Sequence, residues 1–366
     1  MDYAPLSVTK HGVVPQMANV AKTGNNTTRK LVRTGDFVIN SRSDRKGSAG
    51  LSALDGSTSN VYTVLRPRAS IDGRFVHHLL RSRAFQEEFY RWGNGIVADL
   101  WSTRYSSMKR IALAVPPLEE QRVIADYLDR ETVRIDTLIE EQQRLIELLY
   151  ERRAAVLSAA FDSGPATQST KVGHLLAARP SYGVLVPKYV DEAEGVPFVR
   201  VGDLLNLDPE RPMMAIAPEQ SDEYSRTKLA GGEVLLGVVG KMGQAALAPN
   251  WLAGANVARA VAVLRCKDPG VAPLLCAWFG SNNFLNQAEL ATSGDSIQPT
   301  LGMKDLAHFD INLPLGPNAA ADIASNMANI DTLIAETEQF IELSKERRAA
   351  LITAAVTGKI DVREMV

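Results

Sequence analysis

The sequence predicts an α+β protein: two similar β-rich domains, separated by two long helices that pair as an antiparallel coiled coil. Three observations carry this. "IDTLIEEQQRLIELLYERRAAVLSAA", beginning at Ile135, returns as "IDTLIAETEQFIELSKERRAALITAA" from Ile330, 195 positions later. Both copies have the heptad spacing of amphipathic helices. The stretches ahead of each copy share a fainter pattern of short apolar runs and Gly-rich turns.

The helices are the firmest elements. Ile124, Leu128, Ile135, Leu138, Leu145, Leu149 and Val156 step by threes, fours and sevens, with Ile139 and Ile146 widening the stripe. No Pro or Gly interrupts from Leu118 to Asp162, which allows a rod of roughly 65 Å. "PPLEEQ" supplies the start, with Pro at the first turn and Glu119 and Glu120 at the positive helix end. "DSGP" supplies the stop. The second copy runs from "LPLGPN" to "TGK". Two such helices flanking a whole domain bury their stripes most economically against each other. The predicted layout is a first domain over residues 1–113, a helix over 114–164, a second domain over 165–312, and the second helix with a tail over 313–366.

Within the two domains, "RTGDFVINSR" is matched by "LAGGEVLLGVVG": a Gly turn, an acidic residue, then a strand. Gly-rich loops follow, "SDRKGSAG" and "GKMGQAA". "VYTVLRP" pairs with "AVAVLRC", and "FVHHLLRSRAFQEEFY" with the helical "PLLCAWFGSNNFLNQ". Strands with Gly and Pro punctuation plus helical stretches make a compact α+β domain used twice. Ahead of "PFVRVGDL" lie roughly 27 residues of strand character (by the strand criteria) that have no counterpart ahead of "PLSVTKHG", so the first domain reads as N-terminally short.

The net charge of −2 conceals an asymmetry. Residues 1–113 hold 17 Lys and Arg against 8 Asp and Glu, while every later segment is mildly acidic. A basic module on an otherwise acidic chain suits a polyanion. No apolar run reaches membrane-spanning length, the N-terminus has no secretory pattern, and Cys266 and Cys276 are the only cysteines. The expected location is cytoplasmic.

The order of β-rich unit, "PPLEEQRVIADYLDRET" with "IDTLI", second unit, and "ERRAALITAAVTGK" resembles the specificity subunit of type I restriction–modification systems across essentially the whole chain. The resemblance implies a non-catalytic DNA-reading subunit with two target-recognition domains, each reading half of a split, asymmetric site. The helices would set the spacing and dock methyltransferase subunits, two of them, with a restriction and translocase subunit joining. It implies no cofactor in this chain: S-adenosylmethionine, ATP and Mg would belong to partner subunits. The short first domain and the acidic second depart from the family pattern. They leave open a trimmed relative, or a coiled-coil scaffold binding proteins without full DNA reading.

Catalytic motifs are missing. "GVVGKMG" has glycines too close for a phosphate loop and Met242 after Lys241. "APNW" lacks the paired prolines of an amino-methyltransferase strip. The five His show no metal-ligand spacing, and His77 and His78 read as surface or satisfied core residues. DNA contact needs Lys, Arg and amides for phosphates, and polar side chains at base edges. In the first unit the candidates are Lys10, His11, Arg42, Arg45, Lys46, Arg104 and Tyr105. In the second they are Arg200, Lys241, Gln244, Asn256, Arg259, Ser296, Gln298 and Thr300.

Overall fold

The computed structural model describes residues 3–16, 29–42, 45–95, 101–240, 242–292 and 299–363 of the 366-residue chain. They divide into unit 1, Met1–Arg144 with Glu338–Val366, and unit 2, Leu145–Thr337.

Unit 1 opens with a hairpin of β1 (Leu6–Thr9) and β2 (Gly12–Pro15), followed by β3 (Lys30–Val32) and β4 (Phe37–Asn40). β5 (Ala49–Leu51), β6 (Gly56–Thr58) and β7 (Tyr62–Leu65) come next. β4 is central, antiparallel to β5 and β7, while β3 pairs with β6. "FVHHLLRSRAFQEEFY" forms two helices, α1 (Gly73–Leu79) and α2 (Arg83–Arg91). Ser82 breaks them apart: its hydroxyl donates to the Leu79 carbonyl at 2.8 Å and accepts the Phe85 amide at 3.3 Å. That bond satisfies one of the amides a helix start leaves unpaired. The short α3 (Tyr105–Met108) precedes α4 (Leu118–Ala160). Gln121 seats the start of α4, accepting from the Asp72 amide at 2.8 Å and donating to the Ser70 and Pro116 carbonyls. Phe37, Phe75, Phe85, Phe89, Ile124 and Leu128 share the core with Ile352 and Val356 from the far end of the chain.

Unit 2 takes up the chain at β8 (Thr167–Lys171), α5 (Val172–Leu175), β9 (Ser181–Tyr182), β10 (Tyr189–Val190) and β11 (Val196–Val199). Next come β12 (Ala215–Ile216), α6 (Pro218–Glu223), β13 (Val234–Gly237), β14 (Ala245–Leu247), β15 (Asn256–Val257) and β16 (Val261–Leu264). α7 (Ala272–Trp278), α8 (Asn282–Thr292), α9 (Met303–His308) and β17 (Asp310–Pro314) lead into α10 (Ala319–Val356). β13 lies between β14 and β16 as β4 lies between β5 and β7. Ser281 parts α7 from α8 by the same two bonds that Ser82 makes, to the Trp278 carbonyl and from the Phe284 amide.

The "GDF" and "GEV" turns explain themselves. Asp36, almost fully buried, accepts the Arg33 amide at 2.9 Å and pairs with Arg66 at 2.9 Å. Glu233, equally buried, accepts the Ala230 and Gly231 amides and pairs with Arg265 at 3.4 Å. Each carboxylate closes its own turn and ties it to the arginine that ends the neighbouring strand.

The long helices pack together within each unit. In unit 1, Asp136 of α4 meets Arg348 of α10 at 2.8 Å; in unit 2, Arg153 of α4 meets Asp331 of α10 at 3.2 Å. Moving 17 residues forward along α4 moves 17 residues back along α10, so the pairing is antiparallel in one register. The buried line on α4 runs Ile124, Leu128, Ile135, Ile139, Leu149 and Leu157. Leu145, which the heptad reading placed in the seam, is 40% exposed. A straight helix drifts about 20° per heptad from a strict seven-residue repeat, and that drift turns Leu145 out. After α10, Ile360 and the buried Val362 pack into the unit 1 core.

Candidate nucleic-acid interface

Both units bring the same two loops together. In unit 1 the chain leaving β4 meets the closing segment through an antiparallel bridge of Arg42 and Ser102, with the Thr103 amide donating to the Ser41 carbonyl at 2.9 Å. In unit 2 Val239 bridges Thr300 and the Leu301 amide donates to the Val238 carbonyl, also at 2.9 Å. Loop glycines take conformations that favour glycine, φ +76° at Gly47 and +88° at Gly243.

Of the unit 1 candidates, Lys10 and His11 are exposed at the tip of the β1–β2 hairpin. That hairpin crosses β5 so closely that a Cβ on Gly50 would stand 2.9 Å from the Gly12 Cα. The approach carries the Lys10 turn to the loop that holds Lys46. Lys46 lies 5.2 Å from the Tyr90 ring centre, whose hydroxyl accepts the Gly47 amide at 3.3 Å. Arg42, Arg45, Arg104 and Tyr105 are exposed, Arg104 at the start of α3.

The unit 2 candidates fare unevenly. Lys241, Ser296 and Gln298 lie outside the described residues. Thr300 and Arg259 are exposed, and Gln244 is half-buried with its carbonyl accepting the Gly237 amide. Arg200 is exposed but held by Asp203 at 3.2 Å, at the start of a 3-10 turn. Asn256 corrects the sequence reading: it is fully buried, accepts the Thr227 hydroxyl at 2.7 Å and donates to the Ser221 and Tyr224 carbonyls. With its amide spent inside the fold, it offers nothing to a base edge.

The residues that sequence reasoning missed line a cleft of about 570 Å³ in unit 1. Arg81 and Gln86 enter it from the α1–α2 helices, Lys10 and Lys46 from the loops, and Arg348 from α10. Arg81 donates to the Lys10 carbonyl, and its guanidinium stands 2.9 Å from Nε2 of His77. Burial, then the neighbouring Arg81, pushes the His77 imidazole down to about 4, so it is neutral at pH 7. His78, beneath it, is buried with Nε2 at 2.7 Å from Asp129; burial lowers its pKa as well, against the pull of that carboxylate. No local motif announces the cleft, because its parts come from five separate stretches.

Among curated proteins the chain is similar to the specificity subunit of type I restriction enzyme EcoBI from Escherichia coli, 24% identical over 228 residues, 55% of this chain. A specificity subunit from Salmonella potsdam, StySPI, is 27% identical over 146 residues, 38% of this chain. Among solved structures, a chain from work on complex assembly and conformational transition of the type I R-M system superposes with a TM-score of 0.78 at 18% identity, covering 98% of this chain and 92% of that one.

In sequence and in fold the chain is similar to the specificity subunits of type I restriction enzymes. A second member of the fold, the HsdS subunit from Thermoanaerobacter tengcongensis, superposes with a TM-score of 0.57 at 18% identity, covering 98% of this chain and 91% of that one. No family model matches the sequence. The match to the EcoBI subunit spans about half of that subunit's length, 48%, and the match to the StySPI subunit 31%. Among the described residues of this specificity-subunit relative, no cluster of His, Cys, Asp and Glu could hold a metal ion. Among the same residues, no helix is long and apolar enough to cross a membrane.

Proposed function

We propose that the chain is the DNA-reading subunit of a cytoplasmic type I restriction–modification assembly, with one target-recognition domain in each unit and no catalytic group of its own. The observation that carries this is the duplication. Two units repeat one strand order, one acid–arginine tie and one pair of converging loops, as a bipartite target would require. The loops present Lys10, Arg42, Lys46 and Arg104 in unit 1, and Thr300 and Arg259 in unit 2, as groups for phosphates and base edges. Recognition would be unequal, because the basic excess lies in unit 1.

The helices carry the partner reading. Leu145 and Leu148 of α4 are 40% and 52% exposed, and their repeat counterparts on α10, Phe340 and Leu343, are 43% and 56% exposed. Each repeat thus turns an equivalent apolar pair away from the seam, which suits two copies of one methyltransferase partner. A restriction and translocase subunit would join them. S-adenosylmethionine, ATP and Mg would sit in those partners.

Co-expression with the methyltransferase subunit, followed by mapping of methylated bases, tests the proposal. A split motif with a constant gap is the expected outcome. Absence of any stable methyltransferase complex would sink it.

A further inference from the structure

The cleft in unit 1 has more positive charge than the fold uses. Lys10, Lys46, Arg81 and Arg348 line it, against one lining carboxylate, Asp129. Asp129 is already taken by Arg74 at 3.3 Å and His78 at 2.7 Å. Arg348 has Asp136, while no carboxylate among the described residues pairs with Lys10, Lys46 or Arg81. Burial, and then Arg348, lowers the pKa of Arg81 against the pull of Asp136. Like charges held together in a half-enclosed site favour an anion between them.

Unit 2 shows that this architecture does not need the charges. At the positions equivalent to Lys46, His77, Arg81 and Gln86 it carries Met242, Cys276, Gly280 and Leu285. Met242, Cys276 and Leu285 pack on the unit 2 core, and a Cβ on Gly280 would meet Leu157 at 2.9 Å. The equivalence is tight at the loop: a Cβ on Gly47 would stand 3.2 Å from Gln86, and one on Gly243 would stand 3.1 Å from Leu285. The same frame is closed and apolar in one unit, open and cationic in the other.

We propose that the unit 1 cleft binds a phosphate group, the backbone phosphodiester of bound DNA, with Lys46 and Arg81 as its ligands and Arg348 joining the contact to the coiled coil. This rests on the DNA-reading function proposed above and joins to Lys46 of the recognition loop two groups from outside the loops, Arg81 and Arg348. Guanidinium and ammonium donors converging on one opening match the oxygens of a phosphodiester. A free phosphate or pyrophosphate has the same chemistry, so the test must separate the two sources.

The full chain is titrated with duplex DNA over a series of salt concentrations, beside Lys46→Gln and the four-residue replacement K46M/H77C/R81G/Q86L. The Lys46 ammonium lies over the Tyr90 ring and pairs with no carboxylate among the described residues, and the replacement installs residues that unit 2 already folds with. The slope of log affinity against log salt should fall by about 1 in Lys46→Gln and by about 2 in the replacement. Duplex binding with the same slope in all three proteins would overturn the cleft assignment and leave the DNA reading standing. If the wild type binds no duplex, the DNA reading fails and titration with inorganic pyrophosphate decides the cleft. Saturable binding lost in Lys46→Gln would keep a phosphate site for a free ligand, and no binding would end it.

Discussion

Arg348 closes on Asp136, Nη2 to Oδ2 at 3.0 Å, and the same two motif positions meet again in unit 2 as Arg153 and Asp331. Each "IDTLI" contributes the acid and each "ERRAA" the base to the opposite copy. Repeating the motif lets each copy supply the acid that meets the other copy's arginine.

Charge reversal tests that register. Asp136→Arg should place two guanidinium groups together and lower stability, as should Arg348→Asp. The double variant should recover most of the loss. Because both side chains are a third to a half exposed, the coupling should be about 1 kcal/mol in a thermal or urea double-mutant cycle. Strict additivity of the two single effects would mean that the pair is not formed.

The acid of each Gly turn should matter more than a surface charge. Asp36→Ala strands the Arg33 amide and unties Arg66. Hydrogen bonds to a charged group contribute about 1.5–3 kcal/mol, so the melting temperature should drop, and Glu233→Ala should behave alike. A change no larger than that of an exposed Glu87→Ala control would contradict the turn-closing role.

His77 sets a pH limit on unit 1. Its folded pKa of about 4 lies below the ordinary 6.5, so the unfolded chain binds the proton more tightly. The stability that neutral His77 contributes is fully present above pH 6.5 and is lost as pH falls toward 4. His78 adds to the same slope, while Arg81 and Arg348 oppose protonation and Asp129 favours it. His77→Asn keeps an acceptor for the Leu51 amide, now held at 3.2 Å by Nδ1. Its melting temperature should depend less on pH between 6.5 and 4. An unchanged profile would place the titration elsewhere.

The legible and illegible parts divide by sequence distance. The helices, the paired loops and the acid of each turn are readable because the residues that make them are neighbours or repeat at a fixed offset. Leu145 misled because a heptad count ignores helical drift. Asn256 misled because an Asn beside Gly-rich loops looks exposed, and only Thr227, Ser221 and Tyr224 closing over it show otherwise. The cleft stayed hidden because Lys46, Arg81 and Arg348 belong to a loop, a helix end and the second long helix. Nor does local pattern reveal that Val362 packs against a domain built almost entirely from the first third of the chain.

Asn256 gives the last prediction, because it separates a residue that holds the fold from one that reads DNA. Its amide nitrogen serves the Ser221 carbonyl and hydroxyl and the Tyr224 carbonyl, and its oxygen accepts from Thr227 and from the Val257 amide. Asn256→Ala would leave several buried polar groups facing an empty space, a loss of about 2–3 kcal/mol. Below the lowered melting temperature, the preferred methylation motif of a reconstituted complex should be unchanged. Arg259→Ala is the contrast: its side chain is exposed, so stability should hold within about 0.5 kcal/mol, while duplex affinity falls if this loop meets DNA. A shifted motif with undiminished stability in Asn256→Ala would return that residue to the base-reading set.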